Sequence, residues 1–253
     1  MSDLTTPGVY IEETPEKGGF MGSLRKVVRV VYSPARVFQE LEGRPNWLIP
    51  LLICVLVAAI SSWILLPSVI LPQQREALEN RPGLTEQQLE AARPWLEGNR
   101  PLYLGLASAT VVTGLIILVV AGIFHLICAL LLGGKANFAR TFAVVVYSSL
   151  VSVPESIVKV PLELLTKRTE GLTSLALLIS APDASRAFAY RFLYRFLDQV
   201  DVFAVWKLVL MAIGLSVMFK FSRQKSYYVV VALWLVYALG SSVLGGIAAR
   251  SMG

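Results

Sequence analysis

The chain has 253 residues, of which 55% are hydrophobic and only 16% are charged, and its mean hydropathy is +0.64. Soluble domains usually have about a quarter of their residues charged, so this composition excludes an ordinary soluble protein and indicates an integral membrane protein. The formal net charge is +6. With one histidine and two cysteines, the chain cannot build a conventional structural zinc site.

The first 19 residues are polar and contain the stretch TTPGVYIEETPEKGG. Val9 and Ile11 alternate with Tyr10 and Glu12, as in a strand. The segment is too short and too polar to form a core of its own. We therefore predict that residues 1–19 form an extended or disordered cytoplasmic tip.

Residues 20–46 are predicted to form amphipathic helices at the membrane surface. In FMGSLRKVVRVVY, residues 20–32, apolar side chains oppose Arg25, Lys26 and Arg29. A basic amphipathic helix of this kind is expected to bind an anionic leaflet, and a solvated cytoplasmic helix is the alternative. Trp47 follows directly and is expected to anchor the chain at headgroup level.

Long apolar blocks follow, with few charges inside them. A membrane span needs about 20 such residues, and a sixth apolar segment, 172–181, is too short to cross as a straight helix. The prediction is an all-α, polytopic helical bundle with about five transmembrane helices, six being the alternative. The predicted spans lie within residues 47–253, at about 48–66, 102–132, 138–160, 202–221 and 227–248.

Two polar segments between the spans are predicted to be helical. Thr85 and Gln88 match a capping box, which favours a short helix starting there. In residues 182–200, Phe188, Phe192 and Phe196 fall on one stripe, which indicates an amphipathic helix.

The short loops after spans two and four are basic and contain no acidic residue. They carry Lys135 with Arg140, and Lys220 with Arg223 and Lys225. Because short cytoplasmic loops are enriched in Lys and Arg, we predict a cytoplasmic N-terminus, an external C-terminus and a multi-pass location in the inner (cytoplasmic) membrane.

Polar residues inside the predicted spans are candidates for function. His125 and Cys128 share a helix face. They are interpreted either as a metal or proton site or as a neutral histidine, hydrogen-bonded to a neighbouring helix, beside a buried thiol. Glu155, Lys159 and Glu163 are spaced four apart. They would line a polar cavity or proton route, or else form ion pairs where the helix leaves the membrane.

Ala238, Ser242 and Gly246 are small residues spaced four apart on the last span. Small residues let membrane helices approach closely. We predict a packing face here, either inside the bundle or between protomers.

Several segments resemble the bacterial form of the Yip-domain membrane protein family. The matching stretches are SPARVFQELEGRPNWLIPLL (33–52), GGKANFARTFAVVVYSSL (133–150), LDQVDVFAVWKLVLMAIGLSV (197–217) and the last span. The resemblance implies a five-span bundle with a cytoplasmic N-terminus. Eukaryotic members of the family are associated with Rab GTPases and membrane traffic, and the resemblance assigns no partner to this chain.

The stretch TTPGVYIEE also resembles the start of contractile tail-sheath proteins. There the first residues form an arm that adds a strand to a neighbouring subunit. This likeness implies a docking role for the tip, and a loose tail is the alternative. The candidate docking residues are Pro7, Gly8, Val9, Tyr10, Ile11 and Glu12.

No nucleophile with a base, paired catalytic carboxylates or phosphate-binding glycine loop is visible in the sequence. We therefore predict a non-enzymatic integral membrane protein, without cofactor, that organises or recruits partners, or senses lipid, at the cytoplasmic membrane. An anchor for a contractile injection system and a small-solute permease or channel are the alternatives. The expected partners are the lipid bilayer, with anionic lipid at its cytoplasmic face, and a protein at the tip; no nucleic acid is expected.

Overall fold

The computed structural model describes residues 20–79, 85–92, 98–181 and 187–251, and within these ranges the chain is helical without a named strand. The all-α prediction is confirmed. The α-helices of the described ranges are α1 Phe20–Tyr32, α2 Pro34–Gly43, α3 Leu48–Leu65, α4 Leu71–Glu79, α5 Glu86–Ala92, α6 Arg100–Leu126, α7 Phe138–Ser149, α8 Ser152–Thr166, α9 Phe188–Asp198, α10 Val202–Phe219 and α11 Arg223–Ser251.

Within the described ranges, five helical stretches are long and apolar enough to cross a membrane, which confirms five predicted spans. The sixth apolar segment forms only a 3₁₀ turn, Leu175–Leu178, that packs against α9. The spans are Leu48–Glu79, Arg100–Leu131, Phe138–Thr166, Val202–Phe219 and Arg223–Gly245.

The first span continues well past its predicted end at residue 66. A π-helical turn, Leu66–Ile70, contains Pro67 and joins α3 to α4 without interruption. A proline has no N–H for the helical ladder, and a π-helical turn is a common way for a helix to absorb such an irregularity. α4 is polar, so the helix of the first candidate span has an apolar part followed by a polar extension.

The third span consists of two helices, α7 and α8, divided at residues 150–151. Pro154 cannot donate the hydrogen bond that Leu150 O would accept in a continuous helix. Val153 N instead donates to Leu150 O at 3.0 Å, in the tighter i→i+3 pattern. The proline thus lies in the first turn of α8, where its missing N–H is tolerated.

The predicted capping box is confirmed at the start of α5. Gln88 N donates to Thr85 Oγ1 at 3.3 Å, and Thr85 N donates to Gln88 Oε1 at 3.1 Å.

Helix α7 forms the centre of the bundle. Its residues Val144, Val145, Val146 and Tyr147 are at most 1% exposed, and it contacts α2, α3, α6 and α10. A helix that is apolar all round must be surrounded by other apolar groups. By contrast, α3, α6 and α11 each have several exposed apolar side chains, such as Leu52, Ile116 and Val236, which is expected of lipid-facing helices.

The bundle has two chemically different ends. We call the first the basic end; it is formed by α1, α2, the 132–137 loop and the turn between α10 and α11. The opposite end contains the end of α8 and the start of α10. There Lys167 Nζ donates to Ser68 O at 3.2 Å, and Gln73 Nε2 donates to Lys167 O at 2.5 Å, which ties α8 to the extension of the first span.

Candidate functional site at the basic end

Helix α2 attaches the N-terminal part of the described chain to the bundle. Its side chains Val37, Phe38 and Leu41 are 0% exposed and form part of the main core, and α2 packs against α10 and α7. Burying one large apolar side chain stabilises a soluble fold by about 1.5–3 kcal/mol. Residues 20–46 are predicted to lie at the membrane surface, but the apolar face of α2 is buried against protein.

Lys26 and Arg29, which the sequence assigns to lipid, are both paired with Glu40. Lys26 Nζ lies 3.5 Å from Glu40 Oε2, and Arg29 Nη1 lies 3.1 Å from Glu40 Oε1. Arg25 is exposed. The Glu40 carboxylate therefore links α1 to α2, although surface ion pairs of this kind contribute only about 0–1 kcal/mol each.

A second ion pair fixes the other end of α2. Lys220 Nζ lies 2.6 Å from Glu42 Oε2, and Lys220 itself adopts the left-handed conformation that ends α10. Nearby, Lys225 Nζ lies 4.1 Å from the centre of the Phe221 ring, a cation–π distance. The basic turn between α10 and α11 is therefore ordered by contacts with its own surroundings.

Trp47 lies immediately before α3, near the predicted headgroup level. Its ring makes an edge-to-face contact with Phe142, with centroids 5.2 Å apart, and it packs against the main core. Trp47 thus has a packing role in addition to the predicted anchoring role.

His125 is bonded to a neighbouring helix. Its Nδ1 lies 3.1 Å from Thr141 Oγ1, and Phe138 and Phe219 lie beside its ring at 5.6 and 6.3 Å between centroids. Thr141 is 0% exposed, so the imidazole satisfies a buried hydroxyl. This geometry matches the structural alternative for His125. Among the described residues no group of three or more His, Cys, Asp or Glu side chains could hold a metal ion.

The charged residues of α8 form a network at the opposite end. Lys159 Nζ lies 2.6 Å from Glu155 Oε1 and 2.6 Å from Asp201 Oδ2. Asp201 is 8% exposed and also caps α10 by accepting from Ala204 N at 2.6 Å. This geometry favours an ion-pair connection between α8 and α10 over an open polar route, and the carboxylate of Asp201 is a partner that spacing along α8 does not show.

The small residues of α11 are used inside the protein. Ala238 and Ser242 are 0% exposed. Gln199 Nε2, just after α9, lies 3.2 Å from Ala238 O, 2.9 Å from Ser241 Oγ and 3.1 Å from Ser242 Oγ. The face packs α9 against α11, and Gly246 lies further along α11 in a stretch whose side-chain packing is outside the described part.

The predicted docking residues Pro7, Gly8, Val9, Tyr10, Ile11 and Glu12 lie outside the described residues. Their role stays a prediction from sequence.

Comparison with known proteins agrees with this architecture. The family model described as Yip1 domain matches residues 28–244, a range that begins within α1, contains α2 to α10 and most of α11, and leaves the tip outside. No curated protein and no solved structure matches the chain. Because the family match covers most of its length, this chain belongs to the Yip1-domain family of membrane proteins.

Proposed function

We propose that the protein is a non-enzymatic membrane protein that recruits a protein partner through residues 1–19. The observation that carries the proposal is the burial of Val37, Phe38 and Leu41 in the core. That burial holds α2 on the bundle, and α1 packs on α2. Residues 1–19 are therefore attached to the bundle at a fixed place, at the basic end. The tip also lies outside the matched family domain, which favours a role specific to this chain.

The proposal places the basic end in the cytoplasm and the bundle in the cytoplasmic membrane. Support comes from the short loops that meet there and from the first turns of α7 and α11 that follow them, which together carry Lys135, Arg140, Lys220, Arg223 and Lys225, since basic segments of this kind stay on the cytoplasmic side. Anionic lipids of that leaflet would attract the same positive charge.

Co-purification tests the recruitment. Full-length protein, a variant lacking residues 1–19 and a variant with residues 5–13 scrambled are each isolated from host membranes with a C-terminal tag and compared by quantitative mass spectrometry. We expect one soluble partner to be recovered with the full-length protein and lost from both variants. Equal recovery from all three would contradict the proposal, and the scrambled variant controls for tip length.

A contractile assembly is the more specific candidate for the partner. It is favoured by the stretch TTPGVYIEE, which resembles the start of tail-sheath proteins, whose first residues form a strand-adding arm. In this version the protein anchors the assembly to the membrane. We expect sheath or baseplate proteins among those lost with residues 1–19, and a partner of another class would exclude this version while leaving recruitment intact.

A further inference from the structure

Helix α1 has an apolar face that no described part of the chain covers. Met21, Val28, Val31 and Tyr32 are 75%, 64%, 49% and 70% exposed, and we call these four residues the α1 ridge. The other side of α1 is buried in the bundle, where Ser23 is 4% and Val30 is 1% exposed. The ridge is therefore not a consequence of loose packing, since the same helix is firmly held on its inner side.

The ridge lies close to the level where the chain enters the membrane. α1 packs on α2 and on α3, and α3 begins the first span at Leu48. An apolar face at this level meets the boundary between headgroups and acyl chains.

Charges at this end identify the chemistry of the surface that the ridge meets. The acidic residues of the described part at this end are Glu40 and Glu42, and both are in ion pairs. Four cations there have exposed side chains that make no ion pair or hydrogen bond with any described residue: Arg36, Arg44, Lys135 and Arg223. The positive charge that remains available is complementary to an anionic surface.

We infer that the α1 ridge inserts into the anionic leaflet at the basic end and that Arg36 and Arg44 bind its lipid phosphates, whereas Lys26 and Arg29 do not because both are held in ion pairs by Glu40. The inference rests on the proposed cytoplasmic placement of this end. The ridge therefore contacts lipid rather than a protein partner, because α1 packs on α3, where the apolar residues of the first span begin. A ridge in the leaflet would also hold the start of the tip at the membrane surface.

Depth measurement tests the insertion. Spin labels are placed at Val28→Cys on the ridge and, as a control, at Gln39→Cys, an exposed polar position on α2, in the full-length protein in nanodiscs of phosphatidylcholine with phosphatidylglycerol. The native Cys54 and Cys128 are buried. The parent protein, which carries neither new cysteine and is treated with the same spin label, controls for any labelling of these two residues. We expect position 28 to be more accessible to oxygen than to a water-soluble nickel chelate and position 39 to show the reverse. Equal nickel accessibility at the two positions would overturn the inference, as would a position 28 that becomes protected only when a protein partner is added.

A charge-matched pair of variants tests the assignment of the cations. We expect added phosphatidylglycerol, relative to phosphatidylcholine, to raise the Tm of the detergent-solubilised protein. The Arg36→Gln/Arg44→Gln variant should lose more than half of this difference, whereas Lys26→Gln/Arg29→Gln, with the same loss of charge, should keep most of it. An equal loss of the Tm difference in both variants would overturn the assignment of lipid binding to Arg36 and Arg44. Neither measurement depends on recovery of a protein partner, so either can fail while the recruitment stands.

Discussion

Phe38 of α2 packs directly against Gly214 of α10. A Cβ placed on Gly214 would lie 3.1 Å from Phe38 Cε1 and 2.5 Å from Val144 Cγ1. These distances leave no room for a side chain, so the absence of a Cβ at position 214 is what allows α2, α7 and α10 to meet at one point.

Substitution of this glycine is expected to loosen the contact between α2 and the bundle. Gly214→Ala should lower the free energy of unfolding by about 1–3 kcal/mol, the usual cost of overpacking. Gly114→Ala in α6 is the matched control, because a Cβ there meets nothing within 4 Å, and it should be neutral or stabilising by up to about 1 kcal/mol. Thermal unfolding in detergent measures both, and similar Tm values for the two variants would contradict the packing described here.

Asp201 is expected to contribute more to stability than Glu155, although both pair with Lys159. Asp201→Ala removes an ion-pair partner and the cap of α10 together, whereas Asp201→Asn keeps a side chain that caps helices well. The difference between these two variants should be about 1 kcal/mol. Glu155→Gln should have the smallest effect, because Lys159 keeps Asp201. Chemical or thermal unfolding gives the order, and a Glu155→Gln variant as unstable as Asp201→Ala would be inconsistent with the network.

Sequence reasoning succeeded where the signal is local. The apolar blocks predict five spans, and the Thr85–Gln88 spacing predicts the capping box that the structure contains. Lipid and a protein core are equally apolar, however, so hydropathy does not distinguish the buried α7 from the lipid-facing α6. Partners distant in sequence, such as Lys159 with Asp201, depend on tertiary structure and leave no trace in spacing.

The same limit applies to the site. A basic amphipathic pattern correctly indicates that α1 has two faces, but the sequence does not reveal that Glu40 from the next helix pairs with Lys26 and Arg29. Gly214 lies within a long apolar run, where a small residue is an ordinary feature. A small residue flanked by large ones at mid-span is nevertheless the one signal that marks a close helix contact.

His125 and Thr141 are expected to act as one structural unit. His125→Leu and Thr141→Val should each destabilise the protein, because the first leaves the buried Thr141 hydroxyl unpaired and the second leaves the half-buried His125 ring without its partner. The double variant should lose less than the sum of the two, with a coupling energy of about 0.5–1.5 kcal/mol. In liposomes we expect no solute flux to depend on His125. A reproducible flux abolished by His125→Leu would favour the permease alternative instead.

Gln199 is expected to hold α9 on α11. Gln199→Ala removes the contacts to Ala238, Ser241 and Ser242 and should speed backbone hydrogen exchange across residues 188–198. Gln224→Ala is the control, because Gln224 is exposed and bonds a single tyrosine, Tyr228, in its own helix. Unchanged exchange in the Gln199 variant would show that apolar packing alone fixes α9.

Site-specific photo-cross-linking in the native host is the most direct test of the proposed function. A photoreactive residue is introduced separately at Tyr10 in the tip and at Tyr103, an exposed residue at the opposite end of the bundle. We predict a discrete cross-link from position 10 to a soluble cytoplasmic protein and none from position 103. Cross-links from position 10 to lipid alone, or the same products from both positions, would contradict recruitment through the N-terminal tip.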